Sequence, residues 1–288
     1  MEFGHGILLA LGASLLWGSY TVPMKAFSKI DPLRYLAWIS PGILSVSLVI
    51  AWQQGVWPIS LWGVFDGAYW TIGAILSFLA IQKEGLSGAS ARWMGTAILV
   101  SFVLGVVVLG EEVNLLWALA GLALLLLGLF FGTKDFTGES ANAAFSLRKS
   151  WRSLGAGLIF GSYYLPVHFS GLSSLEFSAS LGVGIALTAA VVALVAKPAP
   201  LENYGQGVLA IIAGVGWNLA SVMALLAIDA LGLAVGFPLT QLALLVSIAW
   251  GVIVFGEAKS FAMRVYIVLA ALGLLGGAAL LGLAKSFI

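Results

Sequence analysis

The side chains in this chain that could do chemistry are few, and their types suit holding a solute rather than breaking a bond. Trp17, Trp70 and Trp217 lie well inside long apolar runs. An indole presents a flat apolar plate and one N–H donor. Asn218 follows Trp217, and Thr240 precedes Gln241 in another apolar run; an amide donates and accepts together. Arg92 stands beside Trp93 a turn or two inside a further run, and Tyr163 lies in yet another. Aromatic plates with amides, hydroxyls and a guanidinium around them are what a ring with weakly apolar faces and a rim of hydroxyls requires. Asp66 is the best-placed carboxylate in an apolar run and is the candidate for carrying a proton. Plainer roles are open to all of these: helix packing for the indoles, interhelical glue for the amides, a surface-reaching Arg92, and solvation of Asp66 near the start of its run.

The apparatus of an enzyme is missing. There is no cysteine, and the histidines are only two, His5 and His168. No Ser–His–Asp set or phosphate loop occurs, so no catalysis, resident metal or cofactor is expected. The net charge of +1 argues against a nucleic-acid partner, which demands a basic face.

The elements that must position these residues follow from composition. Hydrophobic residues make up 61% of the 288 and charged residues 9%, against about 25% charged in a soluble domain. A lipid bilayer is the solvent that suits such a chain. A span needs roughly 20 apolar residues, and ten candidates can be drawn, at 6–24, 33–52, 60–81, 87–109, 113–132, 153–170, 177–196, 205–228, 233–255 and 263–284. The first run carries Glu2 and no Lys or Arg ahead of its apolar core, and reads as a retained span rather than a leader. The polar stretch 133–152 joins two groups of five spans. The expected organisation is therefore 1–132, a linker at 133–152, and 153–288. Under this division Lys25, Lys29, Arg34, Lys83, Arg92, Lys134, Arg148, Lys149, Arg152, Lys197, Lys259 and Arg264 fall on one side and Lys285 on the other. The positive-inside rule then puts both termini outside and the 133–152 linker in the cytoplasm.

The two groups echo each other. WGSYTVP at 17–23 returns as FGSYYLP at 160–166, GAYWTIG at 67–73 as GVGWNLA at 214–220, AIQKEGL at 80–86 as AIDALGL at 227–233, and VLGE at 108–111 as VFGE at 254–257. The unit has five spans, an odd number, so the second copy must enter from the opposite face. An all-α membrane fold of two inverted five-helix repeats is expected, the plan on which many secondary carriers are built. In the first echo, Gly18, Tyr20 and Pro23 match Gly161, Tyr163 and Pro166. Proline frees a carbonyl one turn back and bends a helix, so these are candidate hinges and gates. Gly273 and Gly277 form a small-residue stripe, suited to a homodimer face or to a neighbouring span of the same chain.

The ending VVVLGE (106–111) and its counterpart VIVFGE (252–257), with the doubled five-span plan, resemble the drug/metabolite transporter superfamily. Within it, LLWGSYTVPMKAF (15–27), the Gly67–Trp70–Gly73 spacing and GFPLTQLALLVSIAWGVIVFGE (236–257) are most similar to glucose/ribose uptake porters and, more distantly, rhamnose–proton symporters. Where that family often has Gly-Asn after the tryptophan of the eighth span, this chain has Ala220-Ser221, with its asparagine earlier, at Asn218. The resemblance implies a carrier for a small polar solute such as a monosaccharide, with proton coupling and facilitated diffusion both open to it, in a bacterial inner membrane. An exporter of amino acids or other small metabolites is the other reading the superfamily allows. The role of Arg92 separates them, because a charged solute needs an opposite charge.

Overall fold

The structure is a computed structural model that describes residues 2–23, 30–55, 59–84, 86–132, 147–256 and 260–286. Lys25, Lys29, Trp57, Glu257, Lys259 and linker residues 133–146 lie outside that set. Among the described residues every regular element is helical: α1 (Glu2–Trp17), α2 (Pro32–Gln54), α3 (Leu61–Glu84), α4 (Leu86–Val103) with a π turn (Leu104–Val108), α5 (Leu115–Gly132), α6 (Leu147–Ser162), α7 (Leu165–Ser170), α8 (Ser174–Ala196), α9 (Tyr204–Leu231), α10 (Leu233–Thr240), α11 (Ala243–Ile253) and α12 (Phe261–Ser286). Seven stretches are long and apolar enough to cross a membrane: α2, α5, α8, α9, α12, Leu61–Ile81 of α3, and Leu233–Ile253 through α10 and α11. Phe3–Trp17 and Arg92–Val108 are apolar but shorter.

Local chemistry sets the boundaries. Asp31 caps α2, its carboxylate accepting from Leu33 N at 2.9 Å, with Pro32 in the first turn. Gly55 ends that helix with φ 64°. Ser173 and Glu176 form a reciprocal capping box at the start of α8. Two expectations are corrected. α6 begins at Leu147 rather than 153, because a helix need not end where its apolar run ends, and Arg152 lies 4.6 Å from the Trp151 ring in its first turns. The run 233–255 is not one helix but breaks at Gln241–Leu242 between α10 and α11. Pro238 lies just ahead of that break, and Gln241 N bonds back to Pro238 O in a tightened turn at 3.1 Å.

Packing sorts the helices into two intertwined bundles. α1, α2 and α10 gather with α9, and α11 lies on α1, while α4, α6 and α8 gather with α3. α1 on α9 is matched by α6 on α3, and α2 on α9 by α8 on α3. α2 also packs on α8, joining the bundles, and α5 pairs with α12. In lipid, tight helix contact comes from small residues rather than from expelling water, and glycines stand at the crossings. A Cβ on Gly214 would lie 2.0 Å from Ile39 O, and one on Gly42 2.0 Å from Ile211 O. Likewise Gly67 meets Leu181 O at 2.2 Å and Gly184 meets Val64 O at 2.1 Å. The Gly273–Gly277 stripe packs against Gly128 and Gly121 of α5, so it is occupied within the chain.

Candidate functional site

Trp70 of α3 and Trp217 of α9 meet. Their ring centroids lie 4.2 Å apart at 52°, both side chains being buried. Trp17, at the end of α1, lies 6.5 Å from Trp217 and donates its indole N–H to the Trp217 carbonyl at 3.3 Å. Phe160 of α6 lies 6.2 Å from Trp70. The tryptophans thus form a closed aromatic seam rather than separated walls of a cavity.

Polar groups extend the seam. Both copies of the repeated Gly-Ser-Tyr phrase break their helices: α1 stops at Trp17, and α6 stops before Tyr163–Tyr164. Irregular backbone at membrane depth needs partners. Ser247 donates to Gly18 O at 2.9 Å, and the Tyr35 hydroxyl donates to Tyr20 O at 2.5 Å. Gly18 packs on Ala243 and Val246 of α11, as Gly161 packs on Ala97 and Val100 of α4. Pro23 is half-buried and Pro166 falls in the first turn of α7. The Tyr163 hydroxyl donates to that of Tyr164 at 2.6 Å, and the Tyr164 ring meets Phe237 of α10 at 5.4 Å. Ser221 of α9 lies beside the Tyr163 hydroxyl. Asp66, one turn before Trp70, is fully buried and within electrostatic reach of both tyrosines. Among the described residues neither of its carboxyl oxygens has a hydrogen-bond partner.

These helices and this seam are one long architecture, and its sequence matches the sugar transport protein family over residues 8–284. The chain belongs to that family. Proteins similar to this sugar-transport chain include one from Streptococcus pyogenes serotype M6, 27% identical over 291 residues, covering 98% of this chain and 100% of the relative. A Streptococcus agalactiae serotype V protein is 25% identical over 292 residues, and one from Bacillus anthracis 23% over 298, with the same coverage. All three carry the provisional name sugar uptake protein. A chain of known crystal structure superposes with a TM-score of 0.73 at 17% identity over 98% of both chains, a likeness of fold alone. With the family, the helical stretches mark an integral membrane protein.

Each of the remaining candidates has its own place among the helices. Asn218 is turned away from the tryptophans' contact: its Nδ2 donates to Ile43 O at 2.7 Å and to Ser47 Oγ at 2.8 Å, tying α9 to α2 and leaving Oδ1 unpartnered. Thr240 donates to Phe237 O at 2.6 Å and accepts from Gln241 Nε2 at 3.1 Å. Both sit at the α10–α11 break, where Ser14 of α1 reaches Thr240 O at 3.1 Å. Arg92 is half-buried, and its carbonyl accepts from Thr96 at 2.7 Å. Trp93 backs onto Gly157 of α6. Phe160, Tyr164, Ser221 and Phe237 were missed by sequence reasoning. Tyr164 stands inside the repeated phrase and could have been found there; the others carry no local signal.

Proposed function

We propose that this protein is a secondary carrier that moves a monosaccharide across a bacterial inner membrane by alternating access, in symport with a proton. The single observation that carries the reading is the contact of Trp70 with Trp217. Two repeat-equivalent aromatic plates from opposite bundles close on each other at 4.2 Å. Parting the bundles would separate them and open a site that offers ring faces to a sugar, with the Tyr163 and Ser221 hydroxyls beside it. The matched helix pairings support two inverted five-span repeats, ten spans in all, with termini outside and the 133–152 linker in the cytoplasm. The polar groups at the seam are a carboxyl, hydroxyls and an indole N–H, a set that suits a neutral polyol better than a charged metabolite for export. Asp66 supplies the proton site. An unpartnered carboxylate is costly to bury in its charged form, so proton uptake and release with each exposure is the change open to it.

The test is radiolabelled glucose counterflow in proteoliposomes. Trp70→Ala and Trp217→Ala should each lower exchange at least about ten-fold, the rate equivalent of a stacking contact of about 1.4 kcal/mol, while the variants, though less stable, still unfold in one cooperative transition above the assay temperature. Wild-type exchange in both folded variants would overturn the site.

A further inference from the structure

Across one face of the molecule the two bundles are joined by a carboxylate. The end of α4 loosens into the π turn, where Leu109 N reaches Leu104 O at 2.9 Å and Glu111 N reaches Gly105 O at 3.0 Å. Gly110, at φ 68°, then turns the chain back over its own helix end. Glu111 is aimed at the start of α10 in the other bundle. Its Oε1 accepts from Leu233 N at 2.6 Å and its Oε2 from Ala234 N at 2.8 Å.

Those two N–H groups have no partner within α10, and they stand at the positive end of its dipole. A helix is ordinarily capped by the residue just before it. Here that residue is Gly232, which has no side chain to offer and sits at φ 83°. The cap comes instead from 122 positions away in sequence. Two glycines make room for it. A Cβ on Gly105 would lie 2.6 Å from Ala234 N and 2.8 Å from Glu111 Oε2, and one on Gly232 would lie 2.7 Å from Oε2. α10 is buried throughout its length, while Glu111 is half-buried, so the carboxylate closes the one end of α10 that lies near the surface.

We propose that Glu111 is a latch: it holds the two bundles shut at the Glu111 face by capping α10, and it lets go of Leu233 and Ala234 each time solute is admitted from that face. This rests on the alternating-access reading. It also gives the Gly-Glu ending of the fourth span a physical task. The Glu is the clasp, and the glycines before it and at Gly232 shape the chain to receive it.

The chain has no cysteine, so a single introduced thiol reports cleanly. Val235→Cys places one on α10 behind the latch, and Leu125→Cys places one in the α5–α12 pair, both sites fully buried. The purified full-length protein is reacted with a maleimide in detergent, with and without Glu111→Gln, which keeps the size but loses the charge and one acceptor. The expected result is a rise of about ten-fold in the Val235→Cys labelling rate, the ratio equivalent to one hydrogen bond to a charged group, with Leu125→Cys unchanged. Gly105→Ala, which crowds the carboxylate without touching its charge, should give the same pattern. A rise at both thiols is general loosening and overturns the latch, as does no rise at either. Glucose counterflow with the single-thiol parent separates the two readings. A parent that carries no sugar sinks the carrier, whereas a parent that carries sugar but shows no Glu111 effect sinks the latch alone.

Discussion

Asp66 is the residue whose surroundings ask most for an explanation. It is fully buried one turn before Trp70, and among the described residues both its carboxyl oxygens are unpartnered. A structural carboxylate would be paired or hydrogen-bonded; one left open is free to change its proton with exposure. Asp66→Asn keeps the shape and removes that option. Glucose counterflow, which needs no net proton movement, is expected to persist in this variant, while accumulation driven by an imposed pH gradient is lost. Gradient-driven accumulation at the wild-type level would remove Asp66 from the coupling. Asn218 shows the opposite case. It reads as a solute ligand from its position after Trp217, yet both bonds of its amide nitrogen go to α2.

The helices depend on glycines more than on bulky cores. Gly214 and Gly216 lie on α9 two residues apart, but they face different neighbours. A Cβ on Gly214 collides with the Ile39 backbone at 2.0 Å, whereas the nearest atom for Gly216 is a leucine methyl at 4.0 Å. Gly214→Ala should therefore force α2 and α9 apart and cost on the order of 1–3 kcal/mol. Gly216→Ala should be neutral or slightly favourable. Thermal unfolding in detergent checks the contrast, and equal transitions for the two would mean that the α2–α9 crossing is not as drawn. The fourth and ninth apolar runs also break differently. The fourth run ends in a π turn, while the ninth is interrupted halfway, at Gln241–Leu242.

For the molecule as a whole, the bodies that face each other are not the two halves of the sequence. α1 and α2 belong with α9 to α11, and α3 and α4 with α6 and α8. A carrier built this way must part at contacts such as Tyr164 with Phe237, and must keep contacts such as Gly12 with Met223. In the cysteine-free chain, Tyr164→Cys with Phe237→Cys, joined by a short bifunctional thiol reagent, should stop counterflow. A Gly12→Cys, Met223→Cys pair treated alike should leave it running. Equal transport in both joined proteins would refute relative motion of the bundles.

Apolar runs are written locally, and the seven long apolar helices could be found in them before any fold was known. The sequence could likewise pick out Trp70 and Trp217, because a tryptophan deep in a span is poorly explained by an interfacial belt. Trp52 and Trp62, at span ends, are indeed exposed. What it could not supply was company. That the two indoles touch, that Asn218 turns toward Ile43, that Asp66 is left without a partner, and that Glu111 reaches α10 all depend on which helix lies beside which. In a chain apolar on nearly every face, hydrophobic pattern does not select neighbours. Close backbone approach at a few glycines does, and that choice exists only once the whole bundle is assembled.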